Sequence, residues 1–232
     1  MLKVELHAHT SDDPFDDIPH STTELIDRAA ALGYQALAVT LHDRQLDVRP
    51  FASYAAERGI TLIPGIERTI EGRHVLLLNF SAATESVHSF DDLARLKSRE
   101  NGLVMAPHPF YPIGSALRDR MDRYEHLFDA VEYNAMFTSL LNFNSQAARW
   151  ARLHGKPMVG NGDIHRLRQL DSTYSLVEAE PNPDAICEAI RDCRVDVHAQ
   201  PLSMAAVASI MSELLIGDIR KGRLRQILAG HP

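Results

Sequence analysis

The chain opens with the stretch Leu2-Lys3-Val4-Glu5-Leu6-His7-Ala8-His9, an apolar run that ends in two histidines one residue apart. Successive side chains of a β-strand point to opposite faces, so both imidazoles leave one face at the carboxyl end of a first strand and can share a metal ion. A lone His-x-His pair is weak evidence in a chain with 12 histidines. Its weight comes from the rest of the sequence, in which further His, Asp and Glu residues follow short apolar runs.

Length and composition bound the class of protein. A chain of 232 residues can bury one sizeable core, and α/β barrels commonly form a single domain of this size. The excess of 31 acidic over 24 basic residues argues against bulk binding of nucleic acid through its phosphates. No run approaches the ~20 apolar residues of a membrane span, and no leader pattern is visible, so we expect a cytoplasmic protein without membrane contact.

Short β-rich runs alternate with helical patterns along the chain. The predicted strands cover residues 2–7, 36–40, 60–66, 73–80, 103–106, 130–133, 157–159 and 174–177. The predicted helices cover residues 21–32, 50–58, 89–99, 117–124, 142–154 and 183–192, and from about residue 203 one or two more, 205–215 and 220–229. About seven βα units without a glycine-rich nucleotide loop favour a parallel barrel that forms a single domain over residues 1–232.

Polar residues stand where these strands end, which is where a parallel barrel places its chemistry. In chain order they are His7, His9, His42, Glu67, His74, His108, Glu132, Asn134, Asp163 and His165. Burying so many imidazoles and carboxylates without a cation costs several kcal/mol per unpaired group, whereas coordination satisfies them together. The sequence therefore predicts a metal site at the carboxyl ends of the strands.

Five ordered motifs resemble those of the polymerase and histidinol phosphatase (PHP) domain family. They are His7-Ala8-His9-Thr10, Thr40-Leu41-His42, Gly65-Ile66-Glu67, Ala106-Pro107-His108-Pro109 and Asp163-Ile164-His165. The resemblance spans most of the chain and implies a distorted, TIM-like (β/α)7 barrel that holds three divalent metal ions. Leu41 departs from the pattern, because many members carry Asp before the histidine of the second motif.

The resemblance also implies a ligand set. One metal would be bound by His7, His9, Glu67 and Asp163, a second by Glu67, His74 and His108, and a third by Asp16, His42 and His165. The family's usual Ser-Asp-Gly context is altered to Ser11-Asp12-Asp13-Pro14-Phe15-Asp16-Asp17, so Asp13 and Asp17 stay open as replacements for Asp16. Imidazole and carboxylate ligands without thiolate suit Zn, Mn or Fe and do not choose among them.

This site favours hydrolysis of a phosphate ester. Three divalent cations outweigh the charge of three carboxylates, and a water made acidic by two bridged metals would be the nucleophile. The catalytic candidates are Glu67, Asp163 and His165, and the candidate substrate contacts are Arg118, Arg68 and Asn134, with Glu132 and Asn134 also able to support the ligands. The expected substrate is a small phosphorylated metabolite or nucleotide, and the sequence leaves the oligomeric state open.

Other functions remain open on the sequence. A C–N hydrolase of the amidohydrolase type also uses a barrel and a His-x-His pair, but it usually bridges two metals with a carboxylated lysine at the end of the fourth strand. None of the lysines, Lys3, Lys97, Lys156 and Lys221, stands at such a strand end. A phosphodiesterase, or a proofreading module that serves a polymerase, would use the same metals. A noncatalytic metal-binding domain is less favoured, because such a domain should have lost ligands and this sequence retains the full set of candidates.

Overall fold

The computed structural model describes residues 1–220, and within them the chain forms nine strands and seven α-helices. The strands are β1 (Leu2–Glu5), β2 (Ala36–Val39), β3 (Thr61–Ile70), β4 (Arg73–Leu78), β5 (Leu103–Ala106), β6 (Ala130–Asn134), β7 (Met158–Asn161), β8 (Thr173–Val177) and β9 (Val195–Ala199). The helices are α1 (Thr22–Ala31), α2 (Ala52–Ala56), α3 (Phe90–Lys97), α4 (Arg120–Arg123), α5 (Asn144–Leu153), α6 (Pro183–Arg191) and α7 (Met204–Arg220). Each predicted strand is present, with its ends shifted by a few residues.

The strands form one sheet in the order β7-β6-β5-β4-β3-β2-β1-β8-β9. Strands β1, β2 and β3 pair in parallel, as do β5, β6 and β7, while β4 is antiparallel to both of its neighbours. The sequence pattern suggested that residues 174–177 continue the parallel set, but β8 runs antiparallel to β1. The reason is the short connection after β7, which holds a single 3-10 turn, Leu167–Gln169, and no crossover helix that could return the chain for a parallel strand.

The sheet curls into an almost closed barrel. The backbone N–H of Gly160 in β7 donates to the hydroxyl of Ser175 in β8 at 2.7 Å, and that hydroxyl donates to the Gly160 carbonyl at 3.2 Å. A Cβ atom at Gly160 would lie 2.8 Å from the carbonyl oxygen of Tyr174 and 2.9 Å from Cγ1 of Val197. Glycine is therefore required where β7 meets β8 and β9.

One apolar cluster fills the barrel interior, with side chains from strands β1 to β8 and from helix α6. Helix α6 lies across the amino ends of the parallel strands. Arg191 donates to the carbonyl of Gly102, just before β5, at 2.9 Å, and Thr61 at the start of β3 donates to the carbonyl of Pro181 at 2.9 Å. Helix α6 does not cover the opposite end of the barrel, at the carboxyl ends of the parallel strands, where the polar side chains lie.

Two further apolar clusters bury the outer helices against the sheet. One joins α1 and α2 to β2, and the other joins α3, α4 and α5 to β3, β4, β5 and β6. Helix α1 begins as its sequence predicts, because Ser21 and Glu24 form a reciprocal capping box. These layers hold the strands from outside, so that their carboxyl ends are fixed relative to one another.

Helix α7 packs beside the carboxyl end of the barrel. Its Glu213 accepts hydrogen bonds from Arg166 at 2.9 Å and pairs with Arg168 at 2.7 Å, and Gly217 lies against Asp17. Helix α7 covers the predicted helix of residues 205–215, whereas the one predicted for residues 220–229 lies outside the described residues except at its first position. Among residues 1–220, no helix has the length and hydropathy needed to cross a bilayer.

Candidate metal centre

The predicted ligands converge at the carboxyl end of the barrel. Each of the parallel strands β1, β2, β3, β5 and β7 delivers its residues there, and antiparallel β4 delivers His74 from its amino end. Eight of the nine fall into groups of three whose ligand atoms lie within 4.8 Å of one another, namely His7, His9, His42, Glu67, His74, His108, Asp163 and His165. The strand-end rule therefore located the cluster from sequence, and Asp16 lies at its border.

A break in strand β1 turns the two histidines inward. Leu2, Val4 and Leu6 all belong to the interior cluster, so strict alternation would send His7 outward. The strand instead ends at Glu5, whose carboxylate accepts the backbone N–H of His7 at 3.0 Å. The N–H of Leu6 donates to Oδ1 of Asn161 at 3.2 Å. The side chains of Glu5 and Asn161 thus replace backbone partners at the break.

Glu67 is the centre of the cluster and is almost fully buried. Its Oε1 lies 2.8 Å from Nδ1 of His74 and 3.1 Å from Nε2 of His108. Its Oε2 lies 3.0 Å from Nε2 of His42. Burial alone would raise the pKa of Glu67, but the charges of nearby imidazoles, His74 first, hold it well below its ordinary value. Glu67 is therefore an ionised carboxylate shared by several imidazoles.

His7 and His9 present one ring nitrogen each with the spacing expected of metal ligands. Their Nε2 atoms are buried and have no hydrogen-bond partner among the described residues. Each lies 3.4 to 3.5 Å from Oε2 of Glu67 and from Oδ1 of Asp163. Metal bonds of about 2.0–2.2 Å put neighbouring ligands of a tetrahedral ion roughly 3.4 Å apart. The donor set and its spacing fit one divalent cation held by these four residues.

The loop after β1 adds two aspartates to the cluster. Oδ2 of Asp16 lies 3.0 Å from Nε2 of His165 and 3.7 Å from Nδ1 of His42. Burial would raise the pKa of Asp16, but the hydrogen bond from His165 and the charge of His42 lower it strongly. Asp13 instead contacts the Nδ1 atoms of His9 and His42 at 3.0 Å. The third open candidate, Asp17, faces helix α7.

The carboxylates favour protons on several imidazoles. Burial alone would lower the pKa of His7, but Asp163, Glu132 and Glu67 raise it well above its ordinary value. The same balance of burial and carboxylate charge raises the pKa values of His42, His108 and His165. At His74 burial dominates, and the pKa is lowered. A metal that binds this cluster must displace protons from the rings with raised pKa values.

Of the three candidate substrate contacts, Asn134 alone touches the cluster. Its Nδ2 donates to Asp163 at 3.2 Å and to Glu132 at 3.1 Å, so it orients carboxylates. The structure does not place Arg68 at the cluster, because neighbours in a strand face opposite sides and Glu67 faces inward. The Arg68 guanidinium is bound instead to Val87, Asp43 and His88. Arg118 is exposed in the loop after His108 and donates to the carbonyl of Ile113 at 3.5 Å.

Two supporting residues escaped the sequence analysis. Glu5 is fully buried, and burial raises its pKa to about 8. A charged residue within the apolar run of β1, two residues before His7, is the feature of the sequence that could have indicated this role. Gln169 accepts the backbone N–H groups of His165 and Arg166 at 3.0 and 2.8 Å and donates to the carbonyl of Asp163 at 3.1 Å. Nothing in the sequence near Gln169 indicates this role, because the loop that it holds is irregular.

Comparisons with known proteins agree with this fold. The family model described as PHP-associated matches residues 142–195. A 3′,5′-nucleoside bisphosphate phosphatase of Chromobacterium violaceum is 39% identical over 79 residues, which are 33% of this chain and 26% of that relative. The match thus spans about a quarter of the curated relative.

Solved structures resemble the chain over most of its length. A two-domain protein of Bacteroides vulgatus with a predicted PHP-like metal-dependent phosphoesterase has a TM-score of 0.66 at 21% identity, covering 92% of this chain and 69% of that one. PsfC of Pseudomonas syringae also has a TM-score of 0.66, at 16% identity, with coverages of 92% and 97%. A lesion-specific endonuclease of Pyrococcus furiosus has a TM-score of 0.58 at 14% identity, with coverages of 90% and 66%. At these identities the likeness shows the fold.

The fold and the cluster define a class of barrel proteins that gather imidazoles and carboxylates at the carboxyl ends of their strands. The chain is thus similar to a PHP-associated family model over residues 142–195, and its fold is similar to that of structures described as metal-dependent phosphoesterases.

Proposed function

We propose that this protein is a metal-dependent phosphoesterase that hydrolyses a small phosphate monoester, a phosphorylated metabolite or nucleotide. The observation that carries the proposal is the spacing of the unpaired Nε2 atoms of His7 and His9 from Glu67 and Asp163, 3.4 to 3.5 Å. When bound, divalent ions lower the pKa of water and neutralise the charge of phosphate oxygens. The similarity to a nucleoside bisphosphate phosphatase supports the same reaction class.

We assign three divalent ions, Zn, Mn or Fe, to the cluster, held by His7, His9, Asp16, His42, Glu67, His74, His108, Asp163 and His165. Its deepest members, His7 and His9, are inaccessible to solvent, whereas the side chains of Asp16, Asp163 and His165 retain 11 to 20% of their exposure. The side chains of His42 and His74 retain 13 and 18%, so these five residues form the part of the cluster that a substrate can reach. Glu67, Asp163 and His165 are the residues that we assign to the reacting centre.

The substrate contact that we retain from the sequence is Arg118. It is exposed beside the loop that carries His108, so its guanidinium can turn to a phosphate oxygen or to another acidic group of a substrate. Arg68 is omitted from the proposal, because Asp43, Val87 and His88 already use its donors.

A C–N hydrolase of the amidohydrolase type is disfavoured by the lysines. Lys3 contacts the carbonyl of Leu32, Lys97 contacts Asp129, and Lys156 contacts Glu125, all outside the cluster. Among residues 1–220 no lysine therefore stands where a carboxylated lysine would bridge two metals. His108 occupies the end of the fourth parallel strand instead.

The test is turnover by protein stripped of metal and reloaded with Mn or Zn. We expect phosphate release from a panel of monoesters that includes mononucleotides and a 3′,5′-nucleoside bisphosphate. His9→Ala and Asp163→Ala should abolish it, and His126→Ala, which changes an exposed histidine outside the cluster, should not. Hydrolysis of diesters alone would replace the monoester proposal with a phosphodiesterase, and no turnover of any phosphate ester by metal-loaded protein would refute it.

A further inference from the structure

Two buried carboxylates lie beside the cluster. Asp13 contacts the rings of His9 and His42, and Glu132 contacts the ring of His7 and the backbone N–H of His108. Both are almost inaccessible to solvent. A buried carboxylate needs donors on both oxygens to offset its desolvation. Which donors these two residues use decides whether they are free to bind a cation.

The carboxylate of Asp13 is contacted by at least five donors. Its Oδ2 lies 3.0 Å from Nδ1 of His9, from Nδ1 of His42 and from the backbone nitrogen of His42. Its Oδ1 accepts the backbone N–H groups of Phe15 and Asp16 at 2.8 and 2.9 Å. Asp13 is therefore a hydrogen-bond acceptor on both of its oxygens.

Glu132 is saturated by four donors. Its Oε1 lies 2.7 Å from Nδ1 of His7 and 3.1 Å from Nδ2 of Asn161. Its Oε2 accepts the backbone N–H of His108 at 2.8 Å and Nδ2 of Asn134 at 3.1 Å. The amide orientations are fixed, because Oδ1 of Asn161 accepts from Leu6 and Oδ1 of Asn134 accepts from Met136. Glu132 also helps hold His108 at its unusual φ of 29°.

These contacts determine the tautomer of three rings. Each oxygen of these two carboxylates already accepts an N–H group from the backbone or an amide, so a ring that binds a metal through Nε2 must carry its proton at Nδ1 and donate it to the carboxylate. Each of these Nε2 atoms faces Oε2 of Glu67, at 3.4, 3.5 and 3.0 Å. A histidine fixed by a carboxylate at one nitrogen is oriented to bind metal with the other.

We infer that Asp13 and Glu132 are positioning residues, each of which links a histidine of the His-x-His pair to a ligand of another metal ion. Asp13 links His9 to His42 and, through the loop backbone, to Asp16. Glu132 links His7 to the backbone of His108. This inference rests on the proposed metal-dependent function, and it assigns Asp13 to orientation rather than to coordination. The two carboxylates couple the three ions, because neither can shift without moving ligands of two of them.

The test measures zinc binding by Asp13→Asn and Glu132→Gln, with elemental analysis and with a competing chelator. In either variant the amide NH₂ group replaces one acceptor oxygen and faces N–H donors that lose their acceptor. We therefore expect the affinity for at least one zinc ion to fall by about 10- to 100-fold. The matched controls are Asp12→Asn, whose carboxylate accepts from the hydroxyls of Thr10 and Thr22, and Glu125→Gln, whose carboxylate pairs with Lys156. Both should bind zinc as the wild type does. Circular dichroism checks that each variant is folded.

A second measurement uses the unaltered protein, so it stands even if a variant fails to fold. Long-range ¹H–¹⁵N correlation spectra of the zinc-loaded chain should show His7, His9 and His42 bound through Nε2 and protonated at Nδ1. Coordination of His9 or His42 through Nδ1, or variants that hold as many zinc ions as tightly as the wild type, overturns the inference. Loss of zinc by the variants with no phosphate ester turned over by the wild type would instead refute the proposed function alone.

Discussion

Glu5 shows how a residue next to the cluster can be essential to the backbone without contacting a metal. Its two oxygens accept the N–H groups of His7 at 3.0 Å and of Gly162 at 2.9 to 3.1 Å, where β1 and β7 separate. Because burial raises its pKa to about 8, the folded state holds a proton that an unfolded chain releases near 4.5. The folded pKa is the higher one, so this stabilisation is complete below about pH 4.5 and is lost as the pH rises toward 8.

Glu5→Gln should therefore remove a pH dependence of folding. Glutamine keeps an acceptor oxygen and cannot ionise, so the variant should match the wild type near pH 5 and exceed its free energy of unfolding by on the order of 3 kcal/mol at pH 8. Urea unfolding of the metal-free proteins between these pH values measures the difference. Glu57→Gln, at an exposed position, is the control and should follow the wild type. If the difference in free energy of unfolding between Glu5→Gln and the wild type stays constant from pH 5 to pH 8, Glu5 is ionised in the folded protein over that whole range.

At the level of single residues, the sequence indicated the side chains that converge in the cluster better than the side chains that support them. His9, Glu67 and Asp163 follow apolar runs, and that placement is visible in one dimension. Glu5 occupies an alternate position of β1, where a charged residue usually faces solvent, yet it is fully buried and accepts the backbone N–H groups of His7 and Gly162. The prediction for Arg68 as a substrate contact has no support in the geometry, because proximity to Glu67 in sequence puts the two side chains on opposite faces.

At the level of elements, closure of the barrel depends on one glycine in β7. The carbonyl of Tyr174 and the side chain of Val197 lie where a Cβ of residue 160 would be, at 2.8 and 2.9 Å. The first of these is backbone and cannot turn away. An added methyl group must therefore push β7 from β8, and β7 leads directly into the loop that carries Asp163.

Gly160→Ala should lower the free energy of unfolding by about 1–3 kcal/mol, the usual cost of overpacking. For a chain of this size each kcal/mol lowers the midpoint of thermal unfolding by about 2–4 °C. Calorimetry of the metal-free proteins measures this midpoint. Because metal is absent, the result reports the cost of overpacking and not a loss of metal. The matched control is Gly114→Ala, where an added Cβ has open space. Equal midpoints for the two variants would mean that β7 does not approach β8 as closely as described.

The elements also show what a hydrophobic pattern encodes. Periodicity and capping residues predicted helix α1 and the position of β8, because both depend on neighbours in sequence. The direction of β8 depends on the connection before it, and a pattern of apolar residues reads the same in both directions. A hydrophobic pattern also does not give the distances between strand ends, because the packing of the outer helices and of α6 determines those distances.

For the whole molecule, the cluster is the place where the two halves of the barrel meet. Strands β1, β2 and β3 supply His9, His42 and Glu67, while β5 and β7 lead to His108 and Asp163. Contacts such as that between His108 and Glu67, 3.1 Å, join residues that are distant in sequence. A cation bound here joins both halves and is bound only by the folded chain, so it must stabilise the entire barrel.

Metal should therefore raise the midpoint of thermal unfolding, and the rise should grow with pH. A ligand at 100 times its dissociation constant adds about 2.7 kcal/mol, which corresponds to roughly 5–10 °C for a chain of this size. Because His7, His42, His108 and His165 have raised pKa values in the metal-free fold, protons compete with metal below those values and are displaced more easily above them.

The measurement is differential scanning fluorimetry of chelator-treated protein with and without Mn at pH 6 and pH 8. We expect a larger gain at pH 8, and a smaller gain at both pH values for His9→Ala, which removes a ligand from the first half of the barrel. His126→Ala serves as the control, since its imidazole is exposed and lies outside the cluster. A gain that is equal at the two pH values, or that persists undiminished in His9→Ala, would place the bound metal away from these imidazoles.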